Sequence, residues 1–194
     1  MSNVVAGYTY DQTLPPSPVQ RADLAQLLTD VMWTEADAAA LRRAGEILRP
    51  HVSEVQDVFY DFIGGTPHLV DAFVGPDGEP DSDYLAAVRG RFGQWVIDLC
   101  TRDFDERWLA YQEEIGLRHH STKKNRTDAV DSPRTHVPLR HITALIVPVT
   151  LTIRDLLAAH ESDTAEVDAM QQAWFKAVTV SLVLWSRPFA GDLW

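Results

Sequence analysis

Cysteine is almost absent from this 194-residue chain. Cys100 stands alone, so no internal disulfide can form, and a reducing, cytoplasmic setting is expected. Positive charge is scarce as well. Seventeen Lys and Arg face 28 Asp and Glu, a formal net charge of −11, which excludes nucleic acid as a partner because a phosphate backbone needs a clustered basic face. No run of about 18 uninterrupted apolar residues occurs, so no membrane span is expected. The start, Met1-Ser2-Asn3-Val4-Val5, has neither the basic residues nor the apolar run of a signal peptide. Gly-rich phosphate loops, CxxC pairs, HExxH helices, internal repeats and low-complexity segments are also missing, which removes several common cofactor and metal classes.

What is present is apolar and helical in its spacing. Hydrophobic residues make up 45% of the chain, with six Trp, seven Phe and five Tyr, enough for one sizeable core. Residues 1–20, with Pro15-Pro16-Ser17-Pro18, read as a loop or tail. Beyond them a 3.6-residue period dominates. Helices are expected over 21–32, from a cap at Thr34 to Pro50, and over 51–63, 82–101 and 104–120. The third should face inward through Val52, Val55, Val58, Phe59 and Phe62, and Gly75-Pro76-Asp77-Gly78-Glu79-Pro80 should be a loop. Two long apolar segments close the chain, 139–159 with a kink at Pro148 and 165–186. The fold class is all-α, with seven or eight helices in one domain over 21–194.

One histidine is placed to do chemistry. On a helical wheel Trp108, Tyr111, Gln112, Ile115 and His119 share a narrow sector, while His120 lies about 100° away. An imidazole on such a stripe is either a core side chain bonded to a carbonyl or a ligand to iron, and spacing leaves both open. A multi-ligand metal site is not expected, since Glu113 and Glu114 do not share the face of His119.

The sequence resembles a known family at several points in order. These are Gly7-Tyr8-Thr9-Tyr10, Pro67-His68-Leu69, Tyr84-Leu85-Ala86-Ala87-Val88-Arg89 with Arg91-Phe92, Ile115-Gly116-Leu117-Arg118-His119-His120 with Lys123-Lys124-Asn125, and Gln171-Gln172-Ala173-Trp174-Phe175-Lys176. Together they look like the protoglobins, single-domain haem globins related to the sensor domains of globin-coupled sensors. The resemblance implies a three-over-three helical sandwich with an additional N-terminal helix, and an N-terminal loop, 1–20, that covers a buried haem b. It makes His119 similar to the proximal iron ligand, Tyr60 to the distal tyrosine, Phe92 to the distal phenylalanine and Leu85 to a further pocket residue.

Phe59 and Val88 would complete the distal wall, with Ile115, Leu145 and Val149 also lining the pocket. Arg91 and the cluster Arg118, Lys123, Lys124 and Arg126 are candidates for the haem propionates; for the cluster the alternative is solvation and the helix dipole. Tyr60 could donate to a bound gas or satisfy a backbone group.

Three departures from the family pattern stand out. Phe59 takes the place of a Trp, Leu145 and Val149 take the place of bulkier pocket residues, and Cys100 takes the place of a Thr. The expected function is reversible binding of O2, CO and NO at a five-coordinate iron. The alternatives are a haem enzyme acting on NO, peroxide or nitrite or transferring carbenes, and a haem-free helical interaction module. With eight residues after Ser186, a sensing role should need a separate partner. The last helix is apolar nearly all round, which suits either a homodimer through the last two long helices or an enclosed core helix.

Overall fold

A computed structural model describes residues 5–191 and 194; residues 1–4 and 192–193, and with them most of the segment read above as lacking a signal peptide, lie outside it. Nine α-helices form among the described residues: α1 (Arg21–Asp30), α2 (Glu35–Leu48), α3 (Val52–Gly64), α4 (Pro67–Val70), α5 (Ser82–Thr101), α6 (Glu106–His119), α7 (Leu139–Ala144), α8 (Ile146–His160) and α9 (Thr164–Ala190). No strand forms there beyond an isolated bridge between Val74 and Pro80 at the neck of the expected 75–80 loop.

Acidic and hydroxyl caps set the helix starts. Thr34 and Asp37 cap one another reciprocally at α2, and Asp81, Asp105 and Asp163 accept from Tyr84, Trp108 and Ala165 backbone N–H groups at 2.8–2.9 Å.

Three of the expected details change. Nine α-helices stand among the described residues where seven or eight were expected, because the short α4 was not foreseen and the 139–159 segment divides. The 139–159 segment does not kink at Pro148 but breaks at Leu145, into α7 and α8. Pro148 offers no N–H to the carbonyl four residues earlier and its ring crowds that carbonyl, so the helix restarts with Pro148 in its first turn. The inward stripe of α3 is also rotated. Val55, Phe59, Tyr60 and Ile63 are buried, whereas Val58 and Phe62 are 55% and 45% exposed. Val55, Phe59 and Ile63 are spaced by four and, with Tyr60 beside them, lie on the side where α3 meets α5 and α8; Val58 and Phe62 fall on another row.

The helices stack in two layers, α2, α5 and α6 against α3, α8 and α9, with α1 packed on the outside through Leu24, Leu27 and Leu28. Helix α9 is the axis of the fold and lies against α2, α6 and α8. Its residues Ala173, Trp174, Ala177, Val178, Val180, Ser181 and Leu184 are all buried within the chain, while Leu182 and Val183 are half-buried and Phe175 is exposed. By mean hydropathy, Leu139–His160 is long and apolar enough to cross a membrane. It is nonetheless broken at Leu145 and packs into the core through Ile142, Val149, Ile153 and Leu157, which is not the form of a span.

Close backbone approach makes one glycine essential to this packing. A Cβ built on Gly45 of α2 would lie 2.7 Å from Cys100 Cβ on α5, and that atom has no flexible arm to retreat. Gly45→Ala should therefore destabilise the protein by about 1–3 kcal/mol through overpacking, read as a lower denaturant midpoint at unchanged slope. Helix propensity alone would raise stability by ~1 kcal/mol and move the midpoint up, so a gain would show that α2 and α5 separate without cost.

Candidate functional site

Between the two layers lies a cavity of about 540 Å³. Helix α3 contributes Phe59, Tyr60 and Ile63, α5 contributes Val88, Arg91, Phe92 and Trp95, and α6 contributes Tyr111, Ile115 and His119. The α7–α8 break supplies Leu145, α8 supplies Val149, and α9 supplies Val178, Leu182 and Trp185. Nine of the ten residues named from sequence thus share one cavity. Leu85 does not line it; it is half-buried and packs against the surrounding core.

The wall is graded. Phe59, Tyr60, Ile63, Trp95, Tyr111, Val149 and Trp185 are buried, while His68, Pro133, Arg134, Thr135, His136 and Arg140 are exposed and mark where the cavity opens to solvent. An apolar interior with polar groups at its opening suits a flat, largely apolar molecule with charged substituents on one edge.

His119 sits at the last turn of α6. Its Nδ1 is 2.9 Å from the Ile115 carbonyl oxygen. A carbonyl can only accept, so Nδ1 carries the hydrogen and Nε2 keeps its lone pair. Burial pushes this imidazole below its ordinary pKa, the Ile115 hydrogen bond opposes that shift, and the charges of Lys124 and Arg118 add to it. The ring is neutral as a result. Trp185 stacks on it at 5.5 Å between centroids and 13° between planes, and Trp185 Nε1 donates to Gln112 Oε1 at 2.8 Å. His120, by contrast, turns aside to Thr122 and Phe189.

An aromatic group lines the α3–α5 side. Phe59 and Phe92 stack at 4.6 Å, and Tyr60 meets Phe92 edge-on at 5.8 Å. The Tyr60 hydroxyl makes no hydrogen bond among the described residues, and burial raises its pKa well above the ordinary tyrosine value.

Segment 5–19 does not hang free. Tyr8 and Tyr10 pack on Tyr111 at 4.8 and 5.3 Å, Tyr8 also lines the cavity, and its hydroxyl donates to Asp98 at 3.2 Å. Arg118 donates to the Gly7 carbonyl and Thr9 Oγ1, Arg91 to the Ala6 carbonyl and Arg107 to the Tyr10 carbonyl. Two basic residues proposed for propionates are therefore engaged elsewhere. Arg91 is also bidentate on Asp128, and Arg118 is paired with Glu114.

Sequence reasoning missed Trp95, Trp185 and the three cavity histidines His68, His136 and His141. Trp185 carried a signal, since it falls on the same apolar helix as the other core residues of α9. The histidines come from α4, the 120–138 loop and α7, which no periodicity brings together.

A histidine with a free ring nitrogen at the edge of an apolar interhelical cavity, inside a two-layer helical sandwich, is the construction of a globin-type haem pocket. The donor set fits the group: one neutral imidazole, a wall able to take a porphyrin face, and cations among the residues near the opening. A family model described as Protoglobin matches residues 20–193, nearly the whole chain. The chain belongs to the protoglobin family and is a haem globin-type gas-binding protein. No match is found among curated proteins.

Lys124 generates a prediction of its own. Burial brings its ammonium down to about 8, while the charge of Asp128 acts the other way. A cation whose pKa is lower folded than unfolded leaves the folded state with fewer protons between the two values, so stability rises with pH across that window. In the haem-free protein the wild type minus Lys124→Met difference should therefore climb between about pH 8 and the ordinary lysine value, measured by urea midpoints at several pH values. A flat difference would mean that Lys124 titrates normally.

Proposed function

We propose that the protein holds haem b through His119 Nε2 and binds O2, CO and NO reversibly on the side lined by α3 and α5. The observation that carries this is the His119 imidazole, fixed as the Nδ1–H tautomer by the Ile115 carbonyl while lining an apolar cavity. Bound haem supplies an iron centre that coordinates a diatomic gas; the chain supplies the rest. Trp185 and Gln112 hold the orientation of His119. Phe59, Phe92, Val88, Leu145 and Val149 exclude water, and segment 5–19 covers the cavity through Tyr8. Tyr60 is the one group in that aromatic cluster with a hydroxyl to donate, and its freedom from a backbone partner supports a role toward a polar ligand.

The same wall argues against efficient peroxide chemistry, which is usually assisted by an acid–base side chain near the reacting oxygen. None of Phe59, Phe92 and Val88 can serve as one. A homodimer through α8 and α9 rests on the exposed apolar side chains Val147, Leu151 and Phe175, since the remaining apolar face of α9 is spent inside the chain. A cytoplasmic location is part of the same reading.

Purified protein reconstituted with haem b should show a Soret band that shifts when the ferrous form meets CO. His119→Gly should abolish that spectrum and regain it with added imidazole. A colourless protein after haem addition would leave a haem-free interaction module as the better account. Tyr60→Phe should speed O2 release by roughly 10- to 100-fold, the scale of one hydrogen bond to a partly charged acceptor, and leave CO release nearly unchanged. Equal effects on both gases, followed by stopped flow, would place the Tyr60 hydroxyl away from the ligand.

A further inference from the structure

We propose that Lys124 is the carboxylate receptor of this cavity, its ammonium pairing with one propionate of the haem; the inference rests on the haem reading above. Six Lys and Arg side chains line the cavity. Four are already matched: Arg91 with Asp128, Arg118 and Lys123 with Glu114, and Arg134 with Asp71. Arg140 is exposed and dissolves its charge in water. Lys124 is different. It is only 7% exposed, and its Nζ meets only neutral oxygens among the described residues: the Ala72 carbonyl at 2.9 Å, the Tyr84 hydroxyl at 2.8 Å and Asn125 Oδ1. Asp128, the carboxylate whose field reaches it, is committed in bidentate fashion to Arg91.

Hydrogen bonds to neutral oxygens satisfy the geometry of an ammonium but leave its net charge unmatched in a low-dielectric site. A carboxylate arriving in the cavity would supply that match, and a charge-assisted pair there is stronger than one at the surface.

The backbone holds this lysine firmly. Lys124 N–H donates to the His120 carbonyl at 3.0 Å, which fixes it in the turn that follows α6 after the extended residue His120. Asn125 then takes a left-handed φ of 70°, and its side chain bridges the Lys124 ammonium and the Arg134 carbonyl. The imidazole and the ammonium are thus carried on one continuous piece of chain and reach one cavity. The centre and the edge of a single ligand would be gripped from the end of α6 and from the turn that follows it.

Reconstituting the protein with haem b and with its dimethyl ester separates this role from simple bracing of the 120–138 loop. Transfer of each ligand to an excess of apoglobin acceptor would be timed for the wild type, Lys124→Met and Lys124→Arg, with circular dichroism and the Soret position reporting fold and ligation. Lys124→Met should lose haem about tenfold faster, the scale of one charge-assisted pair. Lys124→Arg should stay near the wild type, and all three should release the ester at one rate. Equal acceleration of haem and ester, or none of either, would overturn the assignment. Should Lys124→Met fail to fold, Lys124→Gln keeps a donor for Ala72 and Tyr84 and takes the same test. A wild type that takes up neither ligand would defeat the haem reading itself, which is a failure distinct from parity between the two ligands.

Discussion

At Gly116, helix α6 comes so near to α9 that a Cβ there would lie 3.1 Å from both Cα and the carbonyl oxygen of Trp185. Much of the histidine side of the cavity follows from that approach. It brings the Trp185 indole flat against His119 and within reach of Gln112, and it lets Arg187 donate through Nε and Nη2 to the two carboxylate oxygens of Glu113. Helix α9 is in turn held by its burial against α2 and α8 and by the Lys176 ammonium, 2.8 and 2.9 Å from the two Asp37 oxygens. Such shielded ion pairs add little net stability over an apolar substitute, but breaking one is costly because a buried charge is left behind. Their effect is to allow one register of α9, and hence one orientation of the ring on α6.

The arginines are spent on a different task. Arg91, Arg107 and Arg118 all donate to carbonyls of the 6–10 segment, and hydrogen bonds from charged donors are worth about 1.5–3 kcal/mol each. Gly7 makes the fit possible. Its φ of 72° favours glycine, and a Cβ there would meet Arg91 Nη1 at 2.7 Å and Thr127 Cγ2 at 2.9 Å. A segment that composition alone would call a tail is therefore clamped from α5 and α6. Arg91 and Arg118 are committed to backbone and to Asp128 and Glu114, which leaves Lys124 as the buried cation of the cavity that meets only neutral oxygens among the described residues.

Helix type and position were legible where periodicity was long, as in α5 and α6; the Asp81 and Asp105 caps that set their starts are seen only in the structure, and Asp105 moves the start of α6 from 104 to 106. The inward sector of α6 could be drawn from spacing alone, and Gln112 already stood in it. What could not be read was set by tertiary contact. Val58 and Phe62 are as apolar as Val55 and Phe59, and only the position of α5 and α8 decides which row is covered. The same holds for the charges. Arg118, Lys123, Lys124 and Arg126 form one cluster in sequence, yet Glu114 takes two of them, Lys124 is buried and Arg126 is exposed. The break at Leu145 was legible in kind and misplaced by three residues, because a proline disturbs the carbonyl four residues before it and so is tolerated in the first turn of the helix that follows.

The chemistry open to the cavity is narrowed by how its polar groups are held. His119 is buried enough to stay neutral and has its one hydrogen tied to a carbonyl, which makes it a lone-pair donor and a poor proton carrier. Tyr60 is kept protonated by the same desolvation, so it can donate a hydrogen bond but not act as a base near neutral pH. Phe59, Phe92 and Val88 add no ionisable group beside it. Two such side chains, neither of which gains or loses a proton at working pH, are suited to ligation and to hydrogen bonding of a bound molecule; the cavity's titratable groups, Lys124 and the histidines His68, His136 and His141, stand apart from them. What these two side chains can offer a bound molecule is therefore set by how strongly they are desolvated, and a change that let water reach Tyr60 or His119 would alter their protonation and their hydrogen bonding together.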